Sequence, residues 1–136
     1  MSQLTDFTLG LPDIDRAMVL APHPDDESLG CGGTMAFYSG KIQFTVVALS
    51  RGEAVNIPED NRGELRRKEC EDAVRILGAH ALVCLDLPDG KFSEHRDSVR
   101  SRLAGLFADL KPQIVFVPAP VEIHPDHRET AKEVLC

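Results

Sequence analysis

Residues 22–34 read PHPDDESLGCGGT, and His-Pro-Asp returns near the other end of the chain as HPDH at 124–127. His23 and Asp26 stand three residues apart, and His124, Asp126 and His127 repeat the pairing. Imidazole and carboxylate are both metal ligands. Two ligands from one turn plus one from a distant loop leave a coordination position open, as a catalytic metal requires. Asp25 and Asp26 are adjacent, so their side chains diverge, and one can bind a metal while the other faces its water. That division combines a Lewis acid, which lowers the water's pKa towards about 7, with a carboxylate that takes its proton. Spacing leaves open whether His124 or His127 is the ligand. The other, held by Asp126 and kept protonated, would stabilise an oxyanion. The plain alternative is caps and turns, since surface His and Asp commonly stand together; two such clusters weigh against it.

The clusters can converge only if the fold brings them to one edge. Four apolar runs, AMVLA (17–21), FTVVAL (44–49), LVCLDL (82–87) and IVFVP (114–118), are nearly continuous, which suits parallel strands covered on both faces. Helical patterns lie between them. Cys70, Ala73, Val74 and Leu77 fall at i, i+3, i+4 and i+7, with Asn61 placed to cap and Gly78 to stop. Val99, Leu103, Leu106, Phe107 and Leu110 form a second pattern that ends at Lys111-Pro112. The glycine-rich first crossover predicts a helix that begins near Ser28 or Gly32 and stops at Gly40, its glycines allowing close packing on the sheet and metal loop. The alternation predicts an α/β fold, a Rossmann-like three-layer sandwich with a mostly parallel sheet. Each His-Pro-Asp then lies past the carboxyl end of a strand, where open α/β sheets bind ligands. The polar loop RGEAVNIPEDN (51–61) is placed to close over such a site.

APHPDDESLGCGGT, followed in order by SRGEA, RRKECEDAVRILG, LPDG and HPDHRETA, resembles the LmbE-like, or PIG-L, family of zinc-dependent N-acetylglucosaminyl deacetylases. The matches run from about residue 17 to the last residue, and HPDDE with HPDH is the specific part. The resemblance implies one deacetylase-type domain over residues 1–136, binding Zn2+ or another divalent transition metal through His23, Asp26 and His127. It implies Asp25 as general base, and His124, oriented by Asp126, as the stabiliser of the tetrahedral intermediate. Arg66 and Asp89 would meet sugar hydroxyls, while Arg51 and Glu53 would shape the site from behind. The substrate would be a small N-acetylated amino sugar. Family members continue past the helix after HPDH, so the resemblance also implies a domain shortened at its C-terminus: either a fragment, or a domain whose missing cover a partner chain or a second copy supplies. The rival reading is a non-catalytic or partner-dependent metal-binding module derived from the family.

The 136 residues suit one domain able to bury roughly two thirds of its unfolded surface. Fifteen basic and twenty-two acidic residues give a net charge of −7, which argues against nucleic-acid or anionic-membrane partners. Cys31, Cys70, Cys84 and Cys136 lack CxxC spacing and read as free thiols of a reducing compartment. With no basic start, no apolar leader segment and no run near 18 apolar residues, the sequence is read as a soluble cytoplasmic protein. LGCGGT (29–34) lacks the G-x-G-x-x-G spacing of a dinucleotide loop, and no acidic residue closes the next strand. His80 and His95 have no ligand spacing and are read as surface residues.

Overall fold

The apolar runs become β1 (Arg16–Ala21), β2 (Gln43–Ser50), β3 (Ala81–Leu87) and β4 (Ile114–Phe116) in a computed structural model that describes residues 10–54 and 61–135. The helices between and after them are α1 (Asp26–Tyr38), α2 (Arg62–Ile76), α3 (Arg96–Leu110) and α4 (Pro125–Leu135). All strand pairs are parallel, in the order β3-β2-β1-β4. The order reverses beside β1, whose Ala17 and Val19 are in register with Phe44 and Val46 of β2 on one side and with Ile114 and Phe116 of β4 on the other. Such a switch point leaves a crevice at the carboxyl ends of the strands that flank it.

Alternate residues of β1 serve two cores. Ala17 and Val19 pack with Met35 of α1 and with Cys70 and Val74 of α2, whereas Met18 and Leu20 pack with Val99 and Leu103 of α3. This two-sided burial is why the runs of β1 and β2 are continuous rather than alternating. β3 and β4 stand at the sheet edges and are only partly covered, so the expectation of strands buried on both faces holds for the central pair alone.

Two helix starts differ in detail from the sequence expectation. Helix α1 begins at Asp26, ahead of Ser28, because the Glu27 carboxylate accepts the Asp25 N–H at 3.0 Å and the Ser28 hydroxyl at 2.7 Å, satisfying the first turn from within. Asn61 occupies the cap position of α2 without a side-chain hydrogen bond. Gly78, at φ +72, ends the turn after α2, and a Cβ there would meet Ser39 Oγ at 2.0 Å. Gly32 approaches Leu77, the residue just after α2, and not the sheet, while a Cβ on Gly30 or Gly33 would meet nothing within 4 Å.

Helix α4 is fastened to α3 by two parallel rungs. Arg96 pairs with Glu129 and Arg100 with Glu133, one helical turn apart on both helices, and both glutamate side chains are buried. Arg128 donates to the carbonyls of Glu122 and Ile123, which ties down the loop ahead of His124. Residues 55–60 of the loop expected to close over the site lie outside the described residues, as does Cys136; Cys31, Cys70 and Cys84 are free thiols. No helix among the described residues is long and apolar enough to cross a membrane.

Candidate metal centre

Both His-Pro-Asp turns reach the switch-point crevice. The turn after β1 carries His23, Asp25 and Asp26; the loop after β4 and the first turn of α4 carry His124, Asp126 and His127. Three atoms face one another there: His23 Nδ1 lies 3.3 Å from Asp26 Oδ2, Asp26 Oδ2 lies 3.1 Å from His127 Nε2, and His127 Nε2 lies 3.3 Å from His23 Nδ1. A tetrahedron with metal–ligand bonds of about 2.0–2.2 Å has edges of about 3.3–3.6 Å. The near-equilateral triangle therefore fits three ligands of a small divalent ion, drawn slightly together.

The other ring nitrogen of His23 faces inward. Nε2 lies 3.0 Å from Asp89 Oδ1 and 3.3 Å from Asp126 Oδ2. Both carboxylates are buried and held by backbone: Asp126 accepts from Gly90 N at 2.7 Å and Phe92 N at 3.1 Å, and Asp89 accepts from Ala54 N at 2.9 Å. Phe92 stacks along His23, with ring centroids 6.3 Å apart. Ligand atoms of His23, Asp89 and Asp126 also lie within 4.8 Å of one another, as do those of His23, His124 and His127. The first of these sets is closed off by its backbone donors, which suits it to orienting His23; outer carboxylates of this kind fix the tautomer and direction of a ligating imidazole.

The electrostatics point the same way. Burial by itself would lower the His23 pKa, yet hydrogen bonds with Asp126 and Asp26 and the nearby Asp89 charge raise it to about 9. Burial would raise Asp26, but its bonds with His23 hold it below the usual carboxylate range; Asp126 behaves likewise, helped by the Phe92 and Gly90 N–H groups. Buried carboxylates that draw a proton onto an imidazole are short of a positive charge, which a divalent cation would supply.

Asp25 stands on the rim, about half exposed, in a strained backbone conformation of φ 126° and ψ −28°. It is clamped from both sides. Its N–H goes to Glu27, while Arg66 Nη2 donates to Asp25 Oδ2 at 2.9 Å and to the preceding Pro24 carbonyl at 2.6 Å. Burial raises the Asp25 pKa, with Arg66 opposing. Arg66 Nη1 also donates to the Gly52 carbonyl at 2.9 Å, and a Cβ on Gly52, whose φ is +66, would meet the guanidinium at 2.2 Å and displace it.

Several sequence expectations meet a different geometry. Asp89, expected at sugar hydroxyls, is buried against His23 because its PDG turn folds inward. Arg66, expected there too, is bound to the His-Pro-Asp turn after β1, at Pro24 and Asp25. The Asp126 carboxylate serves His23 and not His124; only its backbone N–H reaches His124, donating to Nδ1 at 3.2 Å. That bond puts the His124 proton on Nε2. Burial and the neighbouring His23 lower the His124 pKa, which favours the neutral ring where a protonated one was expected. Glu53 accepts the Asp89 N–H at 3.1 Å, and Arg51 binds Asp86 at 2.7 Å and Glu64 at 3.0 Å, away from the triangle. Residue type alone does not mark Glu27, which is buried against the turn that carries Asp25. The signal was its spacing of four and eight residues from Cys31 and Met35, which puts a carboxylate in line with the buried side of α1.

Asp126→Asn is expected to weaken metal affinity by about 10–100-fold, because the amide loses the charge on His23 Nε2 and turns an NH2 towards one of the backbone donors, Gly90 or Phe92; circular dichroism checks that the chain stays folded. Titration against a competing chelator measures the loss; unchanged affinity would remove Asp126 from the support of His23.

Residues 18–135 match the family model described as GlcNAc-PI de-N-acetylase, PIG-L. Diacetylchitobiose deacetylase of Thermococcus kodakarensis is 32% identical over 133 residues, covering 90% of this chain and 49% of that protein. Among solved structures, N,N'-diacetylchitobiose deacetylase from Pyrococcus horikoshii superposes with a TM-score of 0.80 at 31% identity, covering 90% of this chain and 49% of that one. The conserved protein TT1542 from Thermus thermophilus superposes at 0.77 with 35% identity, over 90% of this chain and 54% of that one. The chain thus spans about half the length of these relatives, and its own residues 18–135, which match the family model, include both His-Pro-Asp turns. Sequence, sheet order and the paired turns agree in assigning it to the PIG-L (LmbE-like) family.

Proposed function

We propose that this chain is a zinc-dependent amidase that removes the acyl group from a small N-acylated amino sugar, with His23, Asp26 and His127 holding the metal. The observation that carries this reading is the triangle of ligand atoms, 3.1–3.3 Å on each edge, next in sequence to a clamped and strained carboxylate. Two imidazoles and one carboxylate suit zinc with a fourth position left for substrate or water. When bound, the metal supplies a Lewis acid that polarises the amide carbonyl and acidifies water.

The chain's own residues do the rest. Asp25, whose pKa is raised, takes the proton of the attacking water as the new C–O bond forms, then returns it to the amide nitrogen as the C–N bond breaks. Carboxylate and free amine are the products. His124 donates its Nε2–H to the oxygen that gathers charge. Asp89 and Asp126 hold His23 in the orientation that presents Nδ1. Arg66 braces the turn on which Asp25 sits and keeps its carboxylate from drifting. The amino-sugar class is supported by the names of the relatives, diacetylchitobiose deacetylases.

The test is amine release from N-acetylglucosamine and diacetylchitobiose, before and after treatment with a chelator. Turnover should disappear with the metal and return when zinc is added back. Tight zinc binding without turnover would replace this reading with that of a metal-binding module that needs a further chain.

A further inference from the structure

A cleft of about 290 Å³ begins at the metal triangle and runs away from it between α1 and β4. Its polar end is formed by Asp26, His127 and Glu122. Beyond them the walls are apolar: Leu29, Gly30 and Cys31 on the helix, and Phe116, Val117 and Pro118 on the strand and the loop after it. Val19 and Leu20 of β1 close the floor. A few polar groups at one end of an otherwise apolar trough are the mark of a site that orients a small ligand by its head and accepts a greasy tail. The head here lies at two of the three metal-facing residues.

The size decides what the tail is. At roughly 30 Å³ for each water-sized group, the cleft holds on the order of ten of them. The methyl of an acetyl group would leave most of it empty, and an apolar trough left open to water forfeits the burial it offers. On the other side of the metal turn, a second cleft of about 390 Å³ is mostly apolar as well, with Cys70 and Ala73 in its walls, but it carries the charged groups of Asp25 and Arg66. The two clefts divide an amide into its halves. The amine-bearing sugar belongs beside Asp25, which must reach the nitrogen, and the acyl chain belongs on the Asp26–His127 side.

We propose that the cleft between α1 and β4 is an acyl-chain site, and that the substrates are N-acyl amines whose chains extend beyond acetyl to about four to eight carbons. This rests on the amidase reading. Leu29, 84% exposed, borders both clefts and is the ridge over which the substrate is draped. Gly30 sets the width of the trough, because a side chain at that position would enter open space.

The test separates chain binding from turnover. Straight-chain hydroxamates chelate zinc through their head group, so their affinity for the zinc-loaded chain can be measured by calorimetry without any hydrolysis. Each buried methylene is worth about fourfold, so hexanohydroxamate should bind at least about tenfold tighter than acetohydroxamate. Gly30→Leu should flatten that series, and leucine is also the better helix former at this position. Gly33→Leu, on the same helix, equally unhindered and outside the cleft, should leave the series as it is. A series flat within about twofold, an unaltered slope in Gly30→Leu, or no binding of any hydroxamate would overturn the proposal. A flat series together with a dimeric mass in solution would give the cleft to a second copy of the chain. The amidase reading is judged separately, by hydrolysis of N-acetylglucosamine: turnover of the acetyl compound with a flat hydroxamate series would retain the enzyme and remove the acyl site.

Discussion

His127→Ala is expected to yield a folded chain that no longer retains metal and hydrolyses amide at least about a thousandfold more slowly. His127 supplies one apex of the ligand triangle from the first turn of α4. Without it His23 and Asp26 remain 3.3 Å apart on a single turn, and two ligands do not close a zinc site. Losing the Lewis acid forfeits several kcal/mol of transition-state stabilisation, and each 1.4 kcal/mol or so is a factor of ten in rate. The fold should survive, because α4 is anchored independently by the Asp126 carboxylate on Gly90 and Phe92 and by the two arginine–glutamate rungs to α3. Metal analysis of the purified variant, with circular dichroism beside it, measures both halves. A variant that keeps one zinc per chain would remove His127 from the ligand set.

Asp25→Asn gives the complementary result: metal retained at the parent level, turnover reduced by about 10²- to 10⁴-fold. The amide has the shape of the carboxylate, its oxygen can still accept from Arg66, and asparagine is among the residues that tolerate a positive φ. What it lacks is the ability to take a proton from water and return it to the leaving nitrogen. The pair of variants separates holding the metal from using it. A fully active Asp25→Asn chain would mean that another group is the base.

Much of the architecture is legible in the sequence, for a physical reason that differs by element. The runs at 17–21 and 44–49 can be seen as central strands because both faces of β1 and β2 are buried, which leaves no room for a polar alternation. Edge position is harder to see: LVCLDL and IVFVP look just as apolar, yet β3 and β4 are only partly covered, and nothing local says which strand has a neighbour on each side. The start of α1 at Asp26, just ahead of Ser28, depends on Glu27 bending back to its own first turn, a contact that propensity does not encode.

For the site, residue types and spacing alone single out His23, Asp26 and the HPDH turn as candidate metal ligands, because two clusters of imidazole and carboxylate past strand ends weigh against caps and turns. What each group faces was decided only by the tertiary structure. His23 carries two nitrogens, and it took the convergence of β1, the turn after β3 and α4 to send one towards Asp26 and His127 and the other to Asp89 and Asp126. Arg66 could be given its place on the metal turn only once α2 had packed across Gly52. A sequence determines which charges and ligands a chain possesses and, through hydrophobic period, which elements carry them. Which charges meet, and which are turned inward away from solvent, depends on contacts between segments far apart in the chain, and those exist only after the sheet has closed its order.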